Sequence, residues 1–227
     1  MIIAVKGAPG SGKTSFCIHL GRELAREKHE AVLILHIERY CPEMNRLFPG
    51  EEELCSLGAV LDRGLNDENL ILKHVKTVPE APNLGFLGYL SDEGDKYAAL
   101  TRPGIEDFLA TVQKVAPFVI ADFGNEEPGL LGQCIEEAAD RTVTVIAPDL
   151  RSAAWLGKGR RPIGELLIQN LTAKSMSPVE LGEACPGKCI VLPYCAEIAR
   201  GEGNGMAVRT EPAAKYKKEL RKAVEAL

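Results

Sequence analysis

The chain of 227 residues is 45% hydrophobic and 26% charged, and it carries a net charge of −5. This length and apolar content suit one sizeable α/β core, and the negative charge argues against a globally basic nucleic-acid-binding protein, although it allows local basic patches. The longest apolar runs, such as residues 31–35, are far shorter than the roughly 20 residues of a membrane-spanning helix. The lack of a secretory signal and the odd number of cysteines, seven, favour reduced thiols and a cytoplasmic location.

The first predicted element is a short apolar strand, residues 2–6, that runs directly into the sequence GAPGSGKT at residues 7–14. This is a complete G-x-x-x-x-G-K-[ST] phosphate-binding loop, in which backbone N–H groups turn towards the α- and β-phosphates, Lys13 reaches the β- and γ-phosphates, and the Thr14 hydroxyl binds Mg²⁺. Apolar residues recur at every fourth position after the loop, at Phe16, Leu20 and Leu24, so a helix begins there and directs its positive end at the phosphates. The predicted nucleotide-binding residues of this segment are Gly7, Gly10, Ser11, Gly12, Lys13, Thr14 and Ser15.

Further apolar runs of strand length alternate with helical stretches along the rest of the chain. Most of these runs are continuous, which is typical of strands that are buried on both faces. The pattern predicts a three-layer α/β fold, a mostly parallel twisted sheet with helices on both faces. No repeat or linker divides the sequence, so residues 1–227 are expected to form a single domain. The predicted strands are residues 2–6, 31–36, 84–88, 118–121, 143–147, 166–169 and 189–192.

Two further helices are predicted from their apolar faces. The first follows Thr101 and Pro103, residue types that favour a helix N-terminus. Its apolar face consists of Ile105, Phe108, Leu109 and Val112. The apolar face of the helix that ends the sequence consists of Tyr216, Leu220, Val224 and Leu227. Core packing explains this last stripe, because a membrane-targeting helix would carry larger apolar residues, so we expect no membrane anchor.

Segments beyond the loop resemble the MinD/ParA family of P-loop ATPases, in the same order and at similar spacing. The resemblance covers almost the whole chain and implies a protein that binds ATP and Mg²⁺. It also implies a homodimer that sandwiches ATP between its subunits and that positions cargo or assembles machinery with a protein partner. The segments are residues 56–88, LTRPG at 100–104, FVIADFG at 118–124, ADRTVTVIAPD at 139–149, VLPY at 191–194 and GMAV at 205–208.

One departure from the family pattern lies within the loop. The family places a second lysine just after the first glycine, where it reaches the phosphates of the partner subunit, and this chain has Ala8 there. Lys6 lies two residues earlier, and an exposed lysine at a strand end is the simpler interpretation of it. A charge supplied to a transferring phosphoryl group is worth about 10³–10⁵ in rate. We therefore expect slow hydrolysis or none, and we expect Ala8→Lys to raise turnover.

A second departure lies at the end of the strand at residues 31–36. The family usually has two aspartates here, separated by one residue, and this chain has His36 and Glu38. Glu38 is a candidate to orient the attacking water, whereas neutral His36 is a poor ligand for Mg²⁺ and is more simply a packed or capping residue. Asp122 matches the metal-shell aspartate of the family, and Gly124 would let the chain approach the γ-phosphate. The resemblance thus implies a catalytic set of Lys13, Glu38 and Asp122 and a metal set of Thr14 and Asp122.

Residues for the base are implied at the opposite side of the loop. Asn170 matches an asparagine that the family places against the adenine edge, where an amide offers both a donor and an acceptor. A turn-forming asparagine after a strand is an equally good interpretation. Pro193 and Tyr194 match a loop that packs beside the base through backbone contacts.

Two other groups of residues suggest function only weakly. Cys185, Cys189 and Cys195 invite a metal or redox interpretation, but their spacing differs from the C-x₂-C pairs of zinc sites, so packing as small hydrophobic residues is favoured. A basic loop could contact a phosphate, a nucleic acid or an acidic partner, although a solvated loop is the simpler interpretation. Its residues are Lys158, Arg160 and Arg161.

The sequence therefore predicts a cytoplasmic ATPase of MinD/ParA type that binds Mg²⁺-ATP, dimerises or recruits a protein partner, and hydrolyses ATP slowly. One alternative is a non-hydrolysing scaffold that localises pilus or secretion machinery, in which Ala8 and His36 mark lost catalysis. Another is a small-molecule kinase or ligase, which would need an acceptor pocket that the sequence does not identify.

Overall fold

The computed structural model describes residues 1–38, 41–42, 44–50, 56–63, 66–90, 93, 100–124, 129–157, 166–173 and 188–227. The predicted basic loop and Cys185 lie outside these ranges. No helix of the described ranges is long and apolar enough to cross a membrane.

The centre of the fold is an eight-stranded sheet with the strand order β3-β4-β2-β5-β1-β6-β7-β8. Every pairing is parallel except the one between β3 and β4 at the sheet edge. This arrangement confirms the predicted α/β class and the mostly parallel sheet. The strands are β1 (Ile2–Gly7), β2 (Val32–His36), β3 (Lys76–Val78), β4 (Ala81–Gly88), β5 (Phe118–Asp122), β6 (Arg141–Ile146), β7 (Leu166–Asn170) and β8 (Cys189–Leu192).

Helices cover both faces of the sheet. Successive side chains of each strand point to opposite faces, and because both sets are apolar, both faces need to be buried. On β1, Ile3 and Val5 contribute to one apolar cluster, and Ile2 and Ala4 contribute to the other. The helices of the described residues are α1 (Lys13–Lys28), α2 (Met44–Leu47), α3 (Leu57–Arg63), α4 (Glu68–His74), α5 (Arg102–Val115), α6 (Leu130–Ala138), α7 (Leu150–Gly157), α8 (Ala196–Gly203) and α9 (Ala214–Ala226). Helices α1, α2, α8 and α9 pack with the cluster of Ile3, and helices α3 to α6 pack with the cluster of Ile2.

The two helices predicted from apolar faces have the expected packing. Helix α5 starts after Thr101, whose Oγ1 accepts a hydrogen bond of 3.4 Å from the backbone N–H of Gly104, and Pro103 lies in its first turn. Helix α9 buries Tyr216 and Leu220 among other residues. Both faces therefore serve the core.

The edge strand β3 is absent from the sequence prediction. It contains three residues, of which only Val78 is buried, so it has neither the alternation nor the apolar run that marks a strand. Its pairing with β4 fixes it in place, and β4 consequently begins at Ala81 rather than at the predicted residue 84.

Candidate nucleotide-binding site

The predicted phosphate loop connects the end of β1 to the start of α1. Gly12 directly precedes the helix with a φ of 82°, a left-handed conformation that favours glycine. A Cβ atom on Gly12 would also lie 2.4 Å from Nδ2 of Asn170. At the other end of the loop, the backbone N–H of Ala8 donates a hydrogen bond of 3.2 Å to the carbonyl oxygen of Val145 on β6. The loop is thus held at the carboxyl edge of the parallel strands, the usual place for ligands in open α/β sheets.

Lys13 lies at the start of α1 and is buried. Its Nζ donates hydrogen bonds to the carbonyl oxygens of Gly7 (3.3 Å) and Ala8 (3.1 Å). These bonds hold the ammonium group against the loop, beside a helix N-terminus that itself favours anions. The positive charge that a phosphate would need is therefore already positioned.

Two adjoining cavities flank the loop, and both are lined by Gly10, Gly12, Ser15 and Glu202. The larger one, of about 260 Å³, is the phosphate-side cavity, and its lining also includes Lys13, Thr14, Glu38, Arg46, Asp122 and Gly124. The smaller one, of about 190 Å³, is the base-side cavity, and its lining also includes Ser11, Asn170, Tyr194, Cys195, Ile198 and Tyr216. The predicted catalytic and metal residues thus share one cavity, and Asn170 and Tyr194 share the other.

Asp122 and His36 lie opposite each other on the adjacent strands β5 and β2. Both side chains are buried, and His36 Nδ1 lies 2.8 Å from Asp122 Oδ2. Within the described residues, Asp122 Oδ1 has no hydrogen-bond partner, which is costly for a buried carboxylate oxygen. Thr14 lines the same cavity, and hydroxyl and carboxylate oxygens are hard ligands that suit Mg²⁺. Thr14 and Asp122 therefore fit a Mg²⁺ site, with His36 holding the carboxylate through its other oxygen.

The thiol of Cys17, on α1, reports the electrostatics next to this carboxylate. Burial, together with the negative charge of Asp122, raises the pKa of Cys17 well above its usual value, and the charge of Lys13 lowers it only in part. The thiol is consequently neutral and acts as a packing residue beside the cavity.

Glu38 is placed in the phosphate-side cavity by close packing against Gly124. A Cβ atom on Gly124 would lie 2.0 Å from Glu38 Oε2 and 2.8 Å from Glu38 Cβ. Gly124 is needed for this space, since any larger residue would push the Glu38 carboxylate away. Gly124 also lines the phosphate-side cavity, and its predicted role in bringing the chain close to the γ-phosphate stays a prediction.

Asn170 links the base-side cavity to the phosphate loop. Its Nδ2 donates a hydrogen bond of 3.1 Å to the backbone carbonyl oxygen of Ser11. One amide hydrogen therefore fixes the side chain on the loop, while the amide oxygen can accept a hydrogen bond from an amino group such as the adenine N6. Tyr194 lines the cavity and is 47% exposed. Pro193 lines neither cavity.

Several cavity residues have no functional assignment from the sequence, among them Arg46, Glu202 and Tyr216. Arg46 belongs to the four-residue helix α2, which is too short to show a periodic pattern. Glu202 lies near the end of α8 and borders both cavities. Tyr216 belongs to the apolar face of the last helix and also lines the base-side cavity. Its buried hydroxyl has no hydrogen-bond partner in the described part of the chain.

The cysteines with a weak metal signal make local contacts. Cys189 Sγ lies 3.4 Å from Nε2 of Gln169, and Cys195 Sγ lies 3.2 Å from Oε2 of Glu197. Among the described residues, no group of three or more histidine, cysteine, aspartate or glutamate side chains could hold a metal ion.

Comparison with solved structures identifies the fold, although no protein-family model and no curated protein matches the chain. A ParA family ATPase from Chlorobium tepidum has a TM-score of 0.76 and 16% identity over 100% of this chain and 98% of that chain. The septum site-determining protein MinD from Pyrococcus horikoshii, complexed with Mg-ADP, has a TM-score of 0.72 and 18% identity over 99% of this chain and 95% of that chain. A chain of the MinC:MinD cell division protein complex from Aquifex aeolicus has a TM-score of 0.66 and 16% identity, covering 100% of this chain and 96% of that chain.

The chain therefore has the fold of the ParA and MinD ATPases, with a P-loop at the expected position. Identities of this size establish the fold, and the expected MinD/ParA resemblance is confirmed at that level.

Proposed function

We propose that this protein is a P-loop ATPase of ParA/MinD type that binds Mg²⁺-ATP, dimerises in the bound state and positions or assembles a protein partner, with slow hydrolysis. The observation that carries the proposal is the phosphate-side cavity. There Lys13, Thr14 and Asp122 line one space next to the phosphate loop, and one oxygen of buried Asp122 has no hydrogen-bond partner among the residues that the structure describes. In such a space the positive charges of a lysine and a bound metal ion complement the negative charge of a phosphate.

Each residue of the cavity has a role in this proposal. Lys13 and the loop N–H groups bind the phosphates, and Thr14 and Asp122 would hold Mg²⁺, which neutralises phosphate charge when bound. Glu38 is suited to orient a water molecule and accept its proton. Asn170 and the base-side cavity bind the adenine.

Exposed apolar residues support a protein interface at the nucleotide-binding edge. Leu150 is 77% exposed and Leu130 is 37% exposed, and they begin the helices that follow β6 and β5. Tyr194 follows β8. All three therefore lie towards the carboxyl edge of the parallel strands, next to the cavities, where a second subunit or another partner would bury them.

The described cysteines support a reducing, cytoplasmic environment. Cys17, Cys41, Cys134 and Cys195 are free thiols, as is usual for cytosolic proteins.

A non-hydrolysing scaffold is the second candidate, because two observations favour it. Ala8 is fully buried, so it offers no group to a partner's phosphates. His36 occupies one oxygen of Asp122. Phosphate release distinguishes this scaffold from the ATPase.

The decisive experiment is calorimetric titration of Mg²⁺-ATP into Lys13→Ala. Lys13 is the lysine of the phosphate loop, at the start of α1, and its loss should abolish measurable binding of Mg²⁺-ATP. The melting temperature should stay near that of the wild type. Lys6→Ala is the matched control, since Lys6 pairs with Glu136 at 3.8 Å and lines neither cavity. Equal affinity in wild type and Lys13→Ala would remove the proposal.

A further inference from the structure

We propose that Arg46 contacts the γ-phosphate within its own subunit and supplies the transition-state charge for which the loop has no second lysine. The inference rests on the proposed ATPase function. It identifies a catalytic residue on α2, the short helix that follows β2 and the Glu38 segment.

The carboxylates of the phosphate-side cavity would repel a γ-phosphate, so a second positive group besides Lys13 is needed to neutralise it. Among its described lining residues, Glu38, Asp122 and Glu202 are carboxylates, whereas Lys13 and Arg46 carry the positive groups. Lys13 binds at the loop itself, through the bonds to Gly7 and Ala8 described above. A guanidinium is permanently charged, and its planar fork matches two phosphate oxygens at once.

Packing of α2 anchors the backbone of Arg46, which lines this cavity. Met44 and Leu47 are buried, and Met44 lies so close to Gly88 that a Cβ atom there would be 2.8 Å from the Met44 Cγ. After the helix, Phe48 packs edge-to-face on Phe86 with ring centroids 5.4 Å apart. The exposed Arg46 thus extends from an anchored turn.

The end of this turn is fixed as well. A Cβ atom on Gly205 would lie 2.8 Å from Pro49 Cγ, so the turn after α2 packs against the segment that follows α8. The backbone N–H of Phe48 donates a hydrogen bond of 3.0 Å to the carbonyl oxygen of Met44. The backbone that carries Arg46 is therefore held in place, so that its guanidinium starts from a fixed position next to the cavity; a charge positioned before the reaction acts most strongly on the transition state.

The reaction in question is ATP hydrolysis. The oxygen of a water molecule forms a bond to the γ-phosphorus, and the bond from that phosphorus to the β–γ bridging oxygen breaks. The electron pair of the broken bond stays on ADP, and the water proton passes to Glu38 and then to solvent. Arg46 would neutralise the negative charge that spreads over the γ-phosphoryl oxygens during this exchange.

The test measures turnover and binding in Arg46→Ala. Single-turnover release of radiolabelled phosphate should fall on the order of 10²-fold. The affinity for a non-hydrolysable ATP analogue should change less than about threefold, whereas the affinity for ADP with aluminium fluoride, which mimics the transition state, should fall with the rate. Arg46→Lys should recover part of both losses, because it keeps the charge without the fork.

The controls separate this inference from the proposed function. Asn45→Ala changes the exposed neighbour on the same helix and should leave turnover unchanged. If the wild type binds no nucleotide, the proposed function fails with the inference. If the wild type binds Mg²⁺-ATP but releases no phosphate above the buffer rate, the proposed hydrolysis fails with the inference and the non-hydrolysing scaffold is favoured. If Arg46→Ala turns over normally, the inference alone is overturned. Loss of turnover in Arg151→Ala with normal turnover in Arg46→Ala would also overturn it, since the charge would then come from the start of α7, where Arg151 lies next to Gly10.

Discussion

Ala8 is buried at the loop position where the family pattern has a lysine. The methyl group of Ala8 has no exposed surface, and its backbone N–H is bound to Val145. A longer side chain at this position would have to displace the atoms that cover the methyl group. Because Ala8 is buried, a lysine at this position would not reach the phosphates without rearrangement, and the expectation that Ala8→Lys raises turnover no longer holds.

We now expect Ala8→Lys to be less stable than the wild type and no faster. An uncompensated buried charge costs roughly 3–5 kcal/mol, which corresponds to a melting temperature lower by about 10 °C for a chain of this size. Thermal unfolding and phosphate release measure the two effects, and Ala8→Met separates added volume from added charge. A faster Ala8→Lys variant with an unchanged melting temperature would mean that the lysine reaches the cavity.

Gly124 offers a second test at the scale of one residue. Gly124→Ala should displace the Glu38 carboxylate, because the added Cβ atom would lie 2.0 Å from Glu38 Oε2. Misplacing a catalytic group by about 1 Å costs on the order of 10²-fold in rate, so turnover should fall while calorimetric ATP affinity stays similar. Gly157→Ala is the control, since a Cβ atom there meets nothing within 4 Å. Undiminished turnover in Gly124→Ala would exclude a role for the position of Glu38.

At the scale of elements, sequence patterns predict strands better than they predict the neighbours of a side chain. The strands with continuous apolar runs were found with ends differing by at most a few residues, because burial on both faces leaves that pattern. The edge strand β3 is paired on one side only and is mostly unburied, so its sequence shows no continuous apolar run. The place of a cavity residue at a strand end, such as Asp122, could be predicted for the same reason. The place of Arg46 in the cavity lining could not, because it depends on how Met44 and Leu47 pack.

The end of the chain is tied to α1 by a charged cluster. Arg22 is buried, and its Nη1 donates hydrogen bonds to the carbonyl oxygen of Thr210 (2.7 Å) and to the carboxylate of Glu211 (3.3 Å). Arg26 also binds Glu211, and Lys217 of α9 lies 2.5 Å from it. Partial burial opposes ionisation of Glu211, but the hydrogen bonds from Arg26 and Lys217 outweigh it and lower its pKa to about 2.

This cluster predicts how stability depends on acid. A carboxyl group whose pKa is lower in the folded state stabilises the fold above its unfolded pKa, and the contribution is lost as pH falls towards the folded value. For Glu211 the loss should run from about pH 4.5 down to about pH 2. Glu211→Gln should therefore unfold more easily than the wild type at pH 6, and the difference should shrink across this range in denaturant titrations. Glu219→Gln, whose ion pair with Lys222 stays within α9, should show a smaller change, and equal acid profiles for the two variants would contradict the assignment.

At the scale of the whole molecule, the functional groups converge because the strands are parallel. Residues far apart in sequence, such as Lys13, Asp122 and Asn170, follow or end different strands and meet at the carboxyl edge. The loop between β1 and α1 supplies the proposed phosphate site, and the ends of β2, β5 and β7 supply the groups that flank it. The exposed Leu150 lies on the same edge, so the proposed nucleotide site and the proposed association surface coincide.

That shared surface predicts a nucleotide-dependent dimer. With Mg²⁺ and a slowly hydrolysed ATP analogue the wild type should shift from monomer to dimer, and ADP should not support the shift, because the γ-phosphate and its metal complete the charge balance at the edge. Light scattering after size-exclusion chromatography measures the mass in each condition. Asp122→Asn should weaken the shift through the metal, and Leu150→Asp should weaken it by placing a charge in the interface.

Leu72→Asp provides the matched control for the surface variant. Leu72 is also exposed, but it lies on α4. Helix α4 is distant from the phosphate loop in the sequence, and none of its residues lines either cavity. It should dimerise like the wild type if association is confined to the nucleotide-binding edge. An identical mass without nucleotide, with ADP and with the ATP analogue would instead favour the scaffold that does not depend on hydrolysis, since its state of association would then be set by the fold and not by the γ-phosphate.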